Sequence, residues 1–265
     1  MSAAVEQPIR ARPVGLATDI VSIAGRALRS ILRDPEGVFP PLVVGTFFYI
    51  INIGALQDLA ETLPDVDYRA FQLPVAITFA ITGVSRAITV VTDITSGYFD
   101  KLSITPVNRL ALLLGFMAAD LALVVALSIP VLVLGFIFGV RFETGALGVL
   151  TFIAFAGIWG LSFTGFMYAI ALKTGNPAAV NSSFLLFFPF MFLTTTFLPK
   201  EALTDWLGTI AVYNPVTYLL DALRSLISRG WEGDTLLKGL AGIAAVGSVS
   251  MTLALLALRS RVRRR

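Results

Sequence analysis

The sequence predicts an all-α polytopic membrane protein organised as a single transmembrane domain. Six apolar stretches of membrane length account for most of the chain, and about 20 apolar residues carry a helix across the hydrocarbon core. Of the 265 residues, 56% are hydrophobic and only 14% charged, against about 25% charged in soluble domains. There is no cysteine and no histidine. Disulfides, thiolate chemistry and the commonest general base and metal ligand are therefore missing, and no metal site or catalytic residue is expected. No G-x-x-x-x-G-K-[ST] loop occurs, so the chain is not expected to bind ATP itself. What remains is a passage for a solute, or a subunit driven by something else.

The first element is an amphipathic helix over residues 19–35. Ile20, Ile23, Ala24, Ala27, Leu28 and Ile31 fall on one face, and Ser22, Arg26, Arg29 and Arg33 on the other. A basic face opposite an apolar one suits the inner membrane surface, either as an anchor or as a contact for a partner. Asp34-Pro35 ends it and Pro40-Pro41 open the first span. Nothing before it has the form of a signal peptide, so the first span is expected to act as the insertion signal. The spans are predicted over 38–56, 73–92, 110–140, 146–172, 179–198 and 239–258. The third and fourth exceed the minimum length and meet at the turn Arg141-Phe-Glu-Thr-Gly145, which makes them an antiparallel hairpin.

Between spans five and six, residues 199–238 carry two apolar stripes. Ala202, Leu203, Trp206, Leu207 and Ile210 form one; Val216, Leu219, Leu220, Leu223 and Ile227 form the other, after the helix-breaking Asn214-Pro215. Two short amphipathic or re-entrant helices are expected there, lying on or dipping into the outer leaflet. The orientation follows from the Lys/Arg bias. With both termini inside, five arginines precede the first span on the cytoplasmic side, Lys101, Arg109 and Lys173 fall in inner links, and the tail of Arg259, Arg261, Arg263, Arg264 and Arg265 stays inside.

Several polar and aromatic residues stand out within the spans. In span two, Thr78, Thr82, Ser85, Thr89, Thr92 and Ser96 repeat at helical spacing on one face. Such a stripe either packs against protein or lines a path or a dimer seam. Arg86 and Asp120 are the two charges inside spans. Their depths, reckoned at about 1.5 Å per residue, suit an ion pair between adjacent helices; snorkelling of Arg86 and contact with substrate are the other readings. Span five concentrates Phe184, Phe187, Phe188, Phe190, Phe192 and Phe197, broken by Pro189, with Asn181, Ser182 and Ser183 near its inner end. These rings face either lipid or a path that suits a greasy substrate.

The inner link between spans two and three reads Gly97-Tyr-Phe-Asp-Lys-Leu-Ser-Ile-Thr-Pro-Val-Asn-Arg109. With the basic helix ending in Leu32-Arg-Asp-Pro35, the segment Phe197-Leu-Pro-Lys-Glu-Ala-Leu203 and the segment Tyr213-Asn-Pro-Val-Thr-Tyr-Leu-Leu-Asp-Ala-Leu-Arg224, it resembles the ABC type-2 transporter permease family, especially bacterial drug-resistance exporters. The resemblance covers nearly the whole chain, in order. It implies a short coupling helix in the inner link, here Tyr98, Phe99, Asp100, Lys101 and Leu102, docked on a separate ATP-hydrolysing subunit. The helix bearing Arg26, Arg29 and Arg33 would border the same subunit. It further implies two permeases with two ATPase subunits in the bacterial cytoplasmic membrane, and ATP and Mg on the partner rather than on this chain. Spans two and five would line the central path, through Thr78, Thr82, Ser85 and Thr89 on one side and Asn181, Phe184, Phe188 and Phe192 on the other.

The function so read is the permease subunit of an exporter for a hydrophobic or amphipathic small molecule. Lipid or polysaccharide-lipid export is the runner-up within that class. A stand-alone secondary transporter is the rival outside it, though no inverted repeat is evident and Asp120 is the single carboxylate within a span. An intramembrane enzyme is poorly supplied with acid–base groups. Membrane lipid is an expected neighbour and nucleic acid is not.

Overall fold

The computed structural model describes residues 15–31, 37–60, 62, 67–97 and 109–263. Every regular element among them is helical. Helix α1 is Leu16–Ile31, α2 Phe39–Ala60, α3 Tyr68–Ile81, α4 Ala87–Thr95, α5 Arg109–Ile137 and α6 Gly145–Thr174. A broken segment follows: α7 Pro177–Ser182, a 3-10 turn Ser183–Leu186 and α8 Phe187–Phe192. After it come α9 Asp205–Tyr213, α10 Pro215–Arg224 with a π-type turn Ser225–Arg229, and α11 Gly233–Arg263.

Among the described residues, four helices are long and apolar enough to cross a membrane: Phe39–Ala60, Leu113–Ile137, Gly145–Thr174 and Gly233–Arg261. The other two expected spans are not continuous. Residues 73–92 are divided between α3 and α4, because Thr82 is extended and Gly83 has φ +93°. Residues 179–198 change from α to 3-10 to α and leave helical geometry after Phe192.

Local chemistry places the ends of these elements. Asp67 caps α3, its Oδ1 accepting from the amides of Arg69 at 3.0 Å and Ala70 at 3.3 Å. Asn176 caps α7 by accepting from Ala178 N, with Pro177 at the first helical position, where its missing N–H is harmless. Asn214 does the same for α10, bonding Val216 N at 3.0 Å ahead of Pro215. The α5–α6 turn forms the expected hairpin. It is fixed from outside by Glu143 N donating to Ile227 O at 2.8 Å and Thr144 Oγ1 donating to Leu226 O at 2.6 Å.

The buried core divides in two at the α3–α4 break. One cluster gathers α2, α3, α8 and α10 around Leu73, Ile77, Phe79, Trp159, Phe163 and Phe187. The other gathers α1, α4 and α7 around Val91, Phe116, Met167, Tyr168 and Val180. Helices α5, α6 and α11 run through both. Helices α6 and α11 pack at close range: a Cβ on Gly247 would lie 2.8 Å from Ser162 Oγ and 3.3 Å from Ser162 Cβ.

The expectation for residues 199–238 changes in one respect. Two helices are present and part at Asn214, but Val216, Leu219, Leu220, Leu223 and Ile227 are buried inside the protein. The second stripe is core, packed on α11 and α3, not a face for the outer leaflet. Only α9 leaves an apolar face open, with Trp206, Ile210 and Tyr213 exposed at helical spacing.

Candidate functional site

The break between α3 and α4 is built around Asp120, a fully buried residue of α5. Its Oδ1 accepts from Arg86 N at 2.7 Å, and its Oδ2 accepts from Tyr168 Oη at 2.5 Å and Ser85 Oγ at 3.3 Å. Arg86 is the N-cap position of α4 and makes no side-chain cap of its own. The first amides of a helix lack intrahelical acceptors and carry partial positive charge. Asp120 thus supplies from a neighbouring helix the capping carboxylate that α4 lacks. Ser85 Oγ also accepts from Ala87 N at 3.1 Å, and Thr82 Oγ1 accepts from Trp159 Nε1 at 2.9 Å.

At its other end α4 is tied to α1. Arg26 Nη2 donates to Asp93 Oδ2 at 3.1 Å, and the guanidinium lies 5.6 Å from the centroid of Phe116. The basic face of α1 is therefore partly turned inward. Arg29 remains exposed and bonds Gly25 O at 3.1 Å. Arg33 and the expected coupling residues Tyr98, Phe99, Asp100, Lys101 and Leu102 lie outside the described residues.

The interrupted spans meet. A Cβ at Gly83 would fall within the van der Waals surface of the Phe184 ring, so both the positive φ and the close approach call for glycine. From Phe184 the rings continue at every fourth residue. Phe184–Phe188 centroids are 5.1 Å apart, Phe188–Phe192 are stacked at 5.6 Å, and Phe192 reaches Phe79 of α3 at 6.1 Å. Phe184 and Phe188 are half-buried and Phe192 is exposed; Asn181 lies exposed just ahead of this row in the chain.

The four hydroxyls expected to line the path are divided between α3, the break and α4. Thr78 is buried and bonds Pro74 O in its own helix at 2.7 Å, while Thr82 and Ser85 are engaged at the break. Thr89 lies half-buried on α4, beyond the interruption. Arg86 and Asp120 do come together, and the bond between them runs through the Arg86 main chain.

The irregular stretch after Phe192 is held from two sides. From α10 and its N-cap, Asn214 Nδ2 donates to Phe190 O at 2.5 Å and Leu193 O at 2.9 Å, the hydroxyls of Thr194 and Thr217 meet at 2.5 Å, and Arg224 donates to Thr195 Oγ1 at 2.8 Å and Thr195 O at 2.7 Å. From α3, Gln72 Nε2 donates to Thr196 O at 3.0 Å and Tyr68 Oη to Phe197 O at 3.1 Å. Arg224 is buried, lies 3.5 Å from the Phe71 ring centroid and borders a cavity of about 520 Å³. On the same helix, burial pushes the Asp221 carboxyl up, against the opposing pull of Arg224 and Arg229.

Trp159, Tyr168, Gln72, Tyr68, Thr195, Asn214 and Arg224 were not singled out as site residues by sequence reasoning. The available signal was hydrogen-bonding capacity inside apolar stretches, where each such group needs a partner. Non-helical backbone at membrane depth occurs only where protein or a cavity satisfies it. These two interruptions, each closed by named side chains, sit in an all-helical protein whose long apolar helices have membrane-spanning length.

Residues 18–227 match the ABC-2 type transporter family, and the chain belongs to that family. It is similar to the daunorubicin resistance ABC transporter permease protein DrrB1 of Streptomyces coeruleorubidus, 28% identical over 256 residues that cover 91% of this chain and 86% of the relative. It is also similar to the probable doxorubicin resistance ABC transporter permease protein DrrC of Mycobacterium tuberculosis, 24% identical over 207 residues, or 77% and 75% of the two chains. Family and relatives together identify a membrane-embedded ABC transporter permease.

Proposed function

We propose that this chain is the membrane-spanning subunit of an ATP-driven exporter that moves a hydrophobic or amphipathic small molecule outward across the cytoplasmic membrane. The observation that carries the reading is the contact of two interrupted helices at Gly83 and Phe184, from which a row of phenylalanines extends along one face. Counting the interrupted pair, the chain crosses six times with both termini inside. A second copy completes the path, with α3–α4 and α7–α8 facing it, and two separate ATPase subunits carry ATP and Mg. Closure of the ATPases presses on residues 98–102 and the surface helix α1, and the push reaches the path through α4.

A planar aromatic amphiphile of the kind named for the relatives fits a surface of stacked rings, which binds by stacking and shape. The test is ATP-dependent uptake of daunorubicin into inside-out vesicles that hold this chain and its co-purifying ATPase. Uptake that needs ATP and is lost in Phe99→Ala/Asp100→Ala supports the reading. A chain that purifies without an ATPase and moves solute under an ion gradient alone overturns it.

A further inference from the structure

The cavity beside Arg224 is built from the outer ends of both interrupted spans. Its walls come from the start of α3, from the irregular stretch after α8 and from α10 with its π-type turn. Six charged side chains border it: Lys200, Arg224 and Arg229, and Asp67, Glu201 and Asp221. Three of each sign leave the formal charge balanced, so a simple anion meets the carboxylates and a simple cation meets the guanidinium groups. A molecule carrying both charges is matched by both sets.

The charges differ in how they are held. Arg224 is only 5% exposed and is locked by Thr195, by Phe71 O at 3.2 Å and by the Phe71 ring. Three bonds occupy three of the five N–H protons a guanidinium offers, and Asp221 Oδ1 stands off at 3.7 Å. Lys200 and Glu201, by contrast, are exposed at the rim. Asp67 caps α3 through Oδ1 alone among the described residues, which leaves its second oxygen available.

The depth of the cavity follows from its neighbours in sequence. Trp206 follows the rim residues Lys200 and Glu201 by a few positions, Trp231 follows Arg229, and Tyr213 ends α9. All three are exposed, at 61%, 51% and 83%. Exposed Trp and Tyr mark the headgroup level of a membrane protein, and about 520 Å³ lies within the range of small-molecule sites.

We infer that this cavity is a binding site for the headgroup of a zwitterionic phospholipid of the outer leaflet. Arg224 and Lys200 take the phosphate, and Asp67 and Glu201 take the ammonium. A headgroup so placed joins the outer end of α3 to the stretch after α8, and so braces the outer ends of the two interrupted spans against each other. Lipid occupancy then sets how readily the outer side opens.

The test is native mass spectrometry of the full chain in mild detergent, titrated separately with phosphatidylethanolamine, phosphatidylglycerol and free phosphoethanolamine. One phosphatidylethanolamine is expected to stay bound per chain, with an affinity at least about tenfold above that for phosphatidylglycerol. Arg224→Gln alone is ambiguous because it also unseats Thr195. The rim variant Lys200→Gln/Glu201→Gln avoids this; it should lose the preference while thermal unfolding stays unchanged. Phosphatidylglycerol held as tightly as phosphatidylethanolamine, or wild-type retention in the rim variant, overturns the inference. Displacement of the lipid by an equal concentration of free phosphoethanolamine overturns the lipid as the source. None of these readouts depends on transport.

Discussion

Leucine in place of Asp120 strands three donors at once: Arg86 N, Ser85 Oγ and Tyr168 Oη. Hydrogen bonds inside membrane proteins are worth about 0.6 kcal/mol on average and up to roughly 1.7, so the loss should reach about 2–3 kcal/mol. Asp120→Asn keeps an acceptor oxygen and should lose less, and Tyr168→Phe about 1 kcal/mol; thermal unfolding of the purified protein ranks the three. Gly83 offers a second test. Gly83→Ala combines a positive φ with a clash against Phe184, and should destabilise by roughly 2–3 kcal/mol. Adding Phe184→Ala removes the clash and leaves the backbone strain, so the double-mutant cycle should show a coupling of about 1 kcal/mol. Additive losses would mean that the two interruptions do not touch. Asp120 and Arg86 were legible in the sequence as charges inside apolar spans. Their mode of contact was not, because the amide of Arg86 needs an outside acceptor only once the helix has broken ahead of it.

At the scale of elements, the four uninterrupted spans and the α5–α6 hairpin were legible from hydropathy and turn residues alone. The break in span two was not. Thr82-Gly83 occurs in an apolar run with no proline near it, and the groups that meet the break, Asp120 and Phe184, come from distant parts of the chain. Span five carried its warning in Pro189, while the side chains that hold its irregular end come from α3 and α10. The apolar stripe of α10 read the same for a lipid-facing helix as for a buried one, since periodicity reports a face and not what covers it. Helix α4 is fixed by Asp120 at one end and by the Arg26–Asp93 bridge at the other. Arg26→Glu should therefore loosen α1, seen as faster amide exchange over Leu16–Ile31, and Asp93→Arg in the same chain should restore protection. Under the proposed function, Phe188→Ala should lower ATP-dependent daunorubicin uptake several-fold, the cost of about one lost aromatic contact, with basal ATP hydrolysis of the complex unchanged. Equal loss of both activities would assign Phe188 to folding instead.

The whole molecule is two cores strung on three long helices, with the α3–α4 break at the boundary between them. Helices α6 and α11 run through both cores and pack closely at Ser162 and Gly247, and we expect them to act as a fixed post. With no native cysteine in the chain, Ser162→Cys/Gly247→Cys should form a clean disulfide, since its Cβ separation approaches the usual 3.5–4.5 Å. Transport should survive this bond if the post stays rigid during the cycle; a disulfide that forms and halts transport would show that the post moves. The break divides span two into arms of unequal length. At about 1.5 Å per residue, the nine residues of α4 make one arm of roughly 14 Å, and the fourteen of α3 the other, of roughly 21 Å. In the proposed orientation, with α4 toward the cytoplasm, a rotation shared by both arms would have a mechanical advantage below one: a stroke of about 2 Å at the α4 end would emerge as roughly 3 Å at the α3 end, trading force for reach.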